Sequence, residues 1–278
     1  MLIAGVVCPN PPLLIPQALG AAADDPPAEL RRVADAAALA VAGLLVARPD
    51  LIAVVGGAPA DHEYGAEASG DLRGFGVRAA VGAGEPVLPL SLTVGRWLLE
   101  RAGVLGSVGS DRGSGGPVRS SGGAVRGSGG SVRGSGGSGG AVRGPAEPAV
   151  TFRAVSQRAP AADCLRLGAG IAGRAPRVAL LAMGDASARR ARAAPEVPDP
   201  RAEEYDEDVA EALAAADARW LARLDPALDD ELVVAGRAAW QVLAGAANGQ
   251  RLHGRLHCMA APYGVTYLVA SWGEPGTG

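Results

Sequence analysis

Lysine is absent from this sequence: all 26 basic residues are arginine. With Ala and Gly abundant as well, the bias points to the codon usage of a GC-rich genome rather than to selection for phosphate or carboxylate recognition. Cysteine is scarce. Cys8, Cys164 and Cys258 are odd in number, far apart and free of any CxxC pair, which excludes a disulfide-stapled module and a thiolate metal cluster and points to a reducing compartment. No window reaches the eighteen or so uninterrupted apolar residues that a membrane span needs. The apolar amino terminus has no basic n-region, is broken by Pro9, Pro11 and Pro12, and places Cys8 too early for a lipoprotein anchor. A soluble, cytoplasmic protein is expected, with no membrane partner. What is plentiful is apolar residues, 48% of 278, enough to bury a core in one large domain or two small ones.

Glycine is the other excess, with 41 residues, many of them crowded between positions 106 and 148. From Gly115 the chain reads GGPVRSS, GGAVRGS, GGSVRGS, GGSGGAVRG, a degenerate seven-residue repeat. A coiled coil is excluded, because each unit offers one Val and several glycines that cost a helix about 1 kcal/mol each. The expectation is a disordered insertion spanning roughly 35–40 Å as a flexible coil. Arg112, Arg119, Arg126, Arg133 and Arg143 recur through it, but no aromatic residue interleaves for base stacking. Without its five Arg and two acids, 21 Arg face 27 acids, and nucleic acid is not an expected partner.

Outside that segment the elements alternate. Residues 2–7 read as a buried strand entering a Pro-rich turn that holds Asn10 at its carboxyl end. Residues 27–48 read as a helix with Pro near its start, and 51–55 as a continuous apolar strand ending in Gly56-Gly57. Ser91 is placed as the cap of a helix over 92–102, with Leu92, Trp97, Leu98 and Leu99 in the core. Then come a strand at 150–155, a helix at 162–174, a buried strand at 177–183, and a long helix over 203–224 whose acidic first turn suits the helix dipole. A helix over 235–247 and strands at 253–260 and 265–272 close the chain. The order predicts an α/β fold, a three-layer α/β/α sandwich around a mostly parallel or mixed sheet, single-domain over 1–278 with the insertion inside it. Sites in such sheets lie at strand carboxyl ends. Attention therefore falls on Asn10, the 56–62 loop and residues 184–190.

Several stretches at those places are familiar together: CPNPPLLIP after the first strand, VVGGAP after the second, MGDASARR after a later one, the Tyr205-Asp206 helix start, AGRAAWQVLAGAA and the closing APYGVTYLVASW. In their order and spacing they resemble the class III extradiol ring-cleavage dioxygenase superfamily, which includes the Memo-like proteins, over essentially the whole chain apart from the insertion. The resemblance implies an iron(II) enzyme that opens catechol rings with dioxygen, its metal held by two His and a carboxylate, with a further His as acid–base and Cys in place of the carboxylate among Memo-like relatives. It also implies a dimer or another paired assembly, hence self-association.

Such a facial set leaves adjacent coordination positions open, so that a catecholate and dioxygen bind one metal while a nearby imidazole moves a proton. The sequence departs from the pattern the resemblance implies. Asn10 stands at the first His position, the second falls near Gly57 or Ala58, the acid–base position reads Ala188, and the carboxylate or Cys position falls near Ala235 or Gly236. Only His62, His253 and His257 exist. His62 is the single candidate metal ligand, with Asp61, Glu63 or Asp185 as oxygen partners, against the plainer reading of a surface-loop histidine. His253 and His257 share a strand face; with Cys258 they make a thin zinc hypothesis, weakened because alternation sends Cys258 to the other face. Asp185, Ser187, Arg189 and Arg190 form either a small-anion contact or a capping turn followed by a solvated basic run. The acids from Glu203 to Glu211 read as a solvated helix face more than as ligands for a hard cation. Asn10, Asp61, His62, Asp185, Ser187 and Arg189 are thus the candidate cleft residues. No cofactor is assigned, iron(II) being implied by the resemblance alone. The expected function is an extradiol dioxygenase-like protein without the iron, binding a small molecule or a protein partner; the alternative is a metal-dependent oxygenase or lyase acting on an aromatic diol through His62.

Overall fold

Every residue of Leu2–Cys8 and of Val178–Met183 is buried. Strands covered on both faces belong in a parallel sheet with helices on either side. In the computed structural model, which describes residues 1–106, 147–190 and 197–274, this is the arrangement found. In chain order the elements are β1 (Leu2–Cys8), α1 (Ala28–Val46), β2 (Leu51–Ala58), β3 (His62–Tyr64), β4 (Gly70–Asp71), β5 (Ala80–Val81), α2 (Leu90–Arg101), β6 (Ala149–Ser156), α3 (Ala161–Ala172), β7 (Val178–Met183), α4 (Arg201–Ala214), α5 (Ala218–Leu221), α6 (Pro226–Leu232), α7 (Arg237–Ala246), β8 (His253–Ala260) and β9 (Tyr267–Gly273). Seven strands form one mixed sheet in the order β3-β6-β2-β7-β1-β9-β8. Its centre, β6-β2-β7-β1, is parallel, and β3 at one edge and the β9-β8 pair at the other are antiparallel. β4 and β5 make a separate small ribbon.

Two apolar cores lie on the two faces. One packs α1 and α2 against the sheet through Val33, Val41, Leu92 and Leu99; the other packs α3, α4 and α7 through Ile171, Val209, Trp240 and Leu243. The three-layer α/β/α sandwich read from the sequence is thereby present. α3 and α7 meet backbone to backbone, since a Cβ on Gly168 would overlap the Val242 carbonyl and one on Gly245 the Leu165 backbone. Gly here is a requirement of close approach. β2 pairs with both β6 and β7, so chain from either side of 107–146 shares one sheet. Apart from its ends, the expected 106–148 insertion lies outside the described residues.

Several local expectations are corrected. The helix expected over 203–224 is two: α4 stops at Ala214, Ala216 takes a left-handed φ of 52°, and the Asp217 side chain accepts from the Trp220 amide to start α5. Ser91 does not cap α2; it lies in its first turn, and its hydroxyl donates to the Gly57 carbonyl across to β2. Trp97 is only partly buried, with the Arg101 guanidinium 5.5 Å from its ring centroid. β8 carries a register shift between Leu256 and Cys258. Leu256 still packs in the α7 layer, but after the bulge Cys258 packs in the α1 layer, on the same side as His257. No described helix is long and apolar enough to cross a membrane.

Candidate functional site

The carboxyl ends of β1 and β7 are stitched together by main-chain and side-chain bonds. The Gly184 amide donates to the Cys8 carbonyl at 3.0 Å, and the Asn10 amide donates to Asp185 Oδ1 at 2.8 Å. The Asp185 carbonyl in turn accepts from the Ala235 and Gly236 amides, which draws the start of α7 onto the same loop. Asp185 keeps a solvent-accessible edge, yet the protein around it is as dense as the interior; this combination is what the floor of a cleft produces. Burial pushes its carboxyl up to about 7, opposed only by the Asn10 amide. Asn10 is 7% exposed, and its Oδ1 is buried with no hydrogen-bond partner among the described residues. An unmet buried acceptor costs about 1–3 kcal/mol. Tyr267, buried at the start of β9, completes the group: burial first, then the charge of Asp185 and the neighbouring Tyr263, hold its phenol above the ordinary range.

Ser187 is two residues from Asp185 but belongs to a different network. Its amide donates to Asp206 Oδ1 at 2.9 Å and its hydroxyl to Asp206 Oδ2 at 2.8 Å, and Thr266 Oγ1 donates to that same Oδ2. The hydroxyl is committed to tying the β7 loop to α4. Arg189 Nη1 donates to the Val197 carbonyl, and Arg190 pairs with Glu203 at 2.7 Å. The basic run is thus used in holding the approach to α4, which favours the structural of its two readings.

Asp61 and His62 lie elsewhere. β3 is the sheet edge, three strand spacings from β7, or about 14 Å. The exposed His62 ring rests 4.4 Å from that of Tyr64, and Asp61 Oδ1 accepts from the Ser156 amide at 2.7 Å. Glu63 is held by Arg174. Neither Asp61 nor His62 joins Asn10 and Asp185. His253 and His257 stand four strand residues apart, about 13 Å, too far for one ion, and His257 Nε2 is 2.7 Å from Ser271 Oγ. Among the described residues no group of three His, Cys, Asp or Glu is placed to hold a metal ion.

The iron set implied by the resemblance does not fit this end of the sheet. A Cβ on Gly57 would stand 3.0 Å from Gln157 Cγ and 3.1 Å from the Ala235 carbonyl; one on Gly184 would strike Gly236 Cα, and one on Gly236 the Trp240 ring. The segments that would carry the ligands pack on one another through bare backbone, so no imidazole or carboxylate can be placed at Gly57 or Gly236. The donors left are Asn10 Oδ1 and the Asp185 carboxylate. Sequence reasoning overlooked Tyr267, whose signal was present: a phenol opening an apolar strand straight after a Pro-Tyr-Gly turn.

Beneath α4 lies a second buried polar group. Tyr205 donates to Asp229 Oδ1 at 2.6 Å, Asp229 Oδ2 stands 3.3 Å from Arg237 Nε in an ion pair without hydrogen-bond alignment, and Arg237 also donates to Gln241 and to the Gln157 and Ala159 carbonyls. Burial pushes Asp229 up to about 6, against the Tyr205 bond and the Arg237 charge.

No family model matches the chain, and no curated protein matches it. Among solved structures, the crystal structure of an uncharacterized protein from Escherichia coli K12 is similar across 97% of this chain and 99% of that one, at 15% identity and a TM-score of 0.46.

Proposed function

We propose that this protein is a member of the class III extradiol dioxygenase superfamily that keeps the sandwich without building an iron centre, and that it binds a small molecule at the Asn10–Asp185 end of the sheet. The observation that carries the reading is the unpartnered, buried Asn10 Oδ1 beside a carboxyl whose pKa is about 7. Two acceptors side by side call for a ligand that donates, and binding of such a donor strengthens as pH rises and Asp185 ionises. The three thiols are free, with Cys8 and Cys164 buried, which accords with a reducing cytoplasm. Chemistry through His62 draws no support from the geometry, because His62 lies exposed at the opposite sheet edge.

The test has two arms. After anaerobic incubation with iron(II) and desalting, metal analysis is expected to find no stoichiometric iron, and catechols under air no colour change; a bound metal lost in His62→Ala would overturn the iron-free reading. A small-molecule panel read by thermal shift should yield donors whose effect disappears in Asn10→Ala and weakens in Asp185→Asn. Hits indifferent to both substitutions would place binding elsewhere.

A further inference from the structure

The break between α4 and α5 builds a pocket. In a continuous helix Glu204 and Trp220 would lie about 24 Å apart at 1.5 Å per residue. The left-handed turn at Ala216 and the Asp217 cap fold α5 back, so that both residues line one cavity of about 400 Å³ closed by α6. Its walls are apolar: Trp220, Leu224, Leu228 and Tyr205, whose hydroxyl is turned away to Asp229.

The rim is charged and unbalanced. Glu204 and Asp208, one helical turn apart on α4, are in no ion pair among the described residues, and Asp225 joins them while capping α6 through the Ala227 amide. Two guanidiniums share the rim. Arg201 is already held by Asp199 at 2.7 Å and Glu231 at 2.8 Å, which leaves Arg223 facing three carboxylates. Carboxylates at the mouth and an indole in the wall are complementary to a cation, and an apolar lining rewards a hydrocarbon body attached to it.

We infer that this pocket is a binding site for a small organic cation, its ammonium between Glu204 and Asp208 and its apolar body against Trp220, Leu224 and Leu228. The site is separate from the Asn10–Asp185 end and does not depend on the function proposed for it.

Benzyltrimethylammonium is a suitable probe, titrated into the full-length protein by calorimetry with benzyl alcohol and benzoate as uncharged and anionic counterparts. The expected result is saturable one-to-one binding of the cation, about tenfold weaker binding of the alcohol and none of benzoate. Glu204→Gln with Asp208→Asn, both at exposed positions, should weaken the cation about tenfold while leaving the circular dichroism unchanged. Trp220→Leu should weaken it further, and Asp185→Asn should leave it unaltered. Benzoate binding as tightly as the cation, unchanged affinity in the folded double variant, or no saturable binding at millimolar probe would overturn the inference.

Discussion

Asp185 and Asp206 both meet the loop that leaves β7, and the protein solvates them in opposite ways. Asp206, 0% exposed, receives the Ser187 amide, the Ser187 hydroxyl and the Thr266 hydroxyl. Burial still raises its pKa, but three donors oppose the rise. Asp185 has the Asn10 amide alone and reaches about 7. One acid is a fastener whose lone pairs are spoken for. The other retains hydrogen-bonding capacity next to a second unmet acceptor, as a binding site requires and a fastener does not. Asp229, bound by Tyr205 and paired with Arg237, stands with the fasteners.

The contrast can be broken at several points. Arg237→Met strands a buried carboxylate and should cost about 3–5 kcal/mol in urea unfolding, with part regained by adding Asp229→Asn. Asp206→Ala leaves the Ser187 and Thr266 donors without their acceptor and should cost about 2–3 kcal/mol. Asp185→Asn should act with the opposite sign. A carboxyl raised from 3.8 to about 7 on folding contributes stability that is full below pH 4 and lost as pH rises toward 7. The Asn variant should therefore match the parent at pH 4 and exceed it at pH 8 by on the order of 1–3 kcal/mol, read from denaturation midpoints at the two pH values. A variant less stable than the parent at pH 8 would return Asp185 to the fasteners. Arg174→Ala, which removes the half-exposed pair to Glu63, should change stability by less than about 1 kcal/mol.

Elements announced by apolar runs were legible. The strand read at 51–55 extends to Ala58 because Gly56 and Gly57 keep pairing with β6, and the run at 177–183 is β7. Local departures left no trace in composition. Ala216 has a side chain that ordinarily avoids positive φ, so the helix break is invisible in an Ala-rich stretch. The bulge that brings His257 and Cys258 to one face defeats strict alternation. At the site, Asn10 and Asp185 were named from strand-end position, and these are the two that meet. Asp61 and His62 were named from the same reasoning, but the chain after Ala58 turns outward to pair with β6 as an edge strand. Ser187 was named beside Asp185, and its commitment to Asp206 depends on a helix 19 residues further on.

The sequence by itself determined the alternation of strands and helices, the buried character of the central strands, and the lack of histidine where an iron centre would need it. These follow from local pattern and residue identity, which hold in any conformation. Only the tertiary structure decided which acid is satisfied and which is left open, that bare glycines at Gly57, Gly184 and Gly236 close the space between strand ends, and that Trp220 faces Glu204. Solvation and proximity belong to pairs of residues far apart in the chain, and they exist once packing brings those residues together.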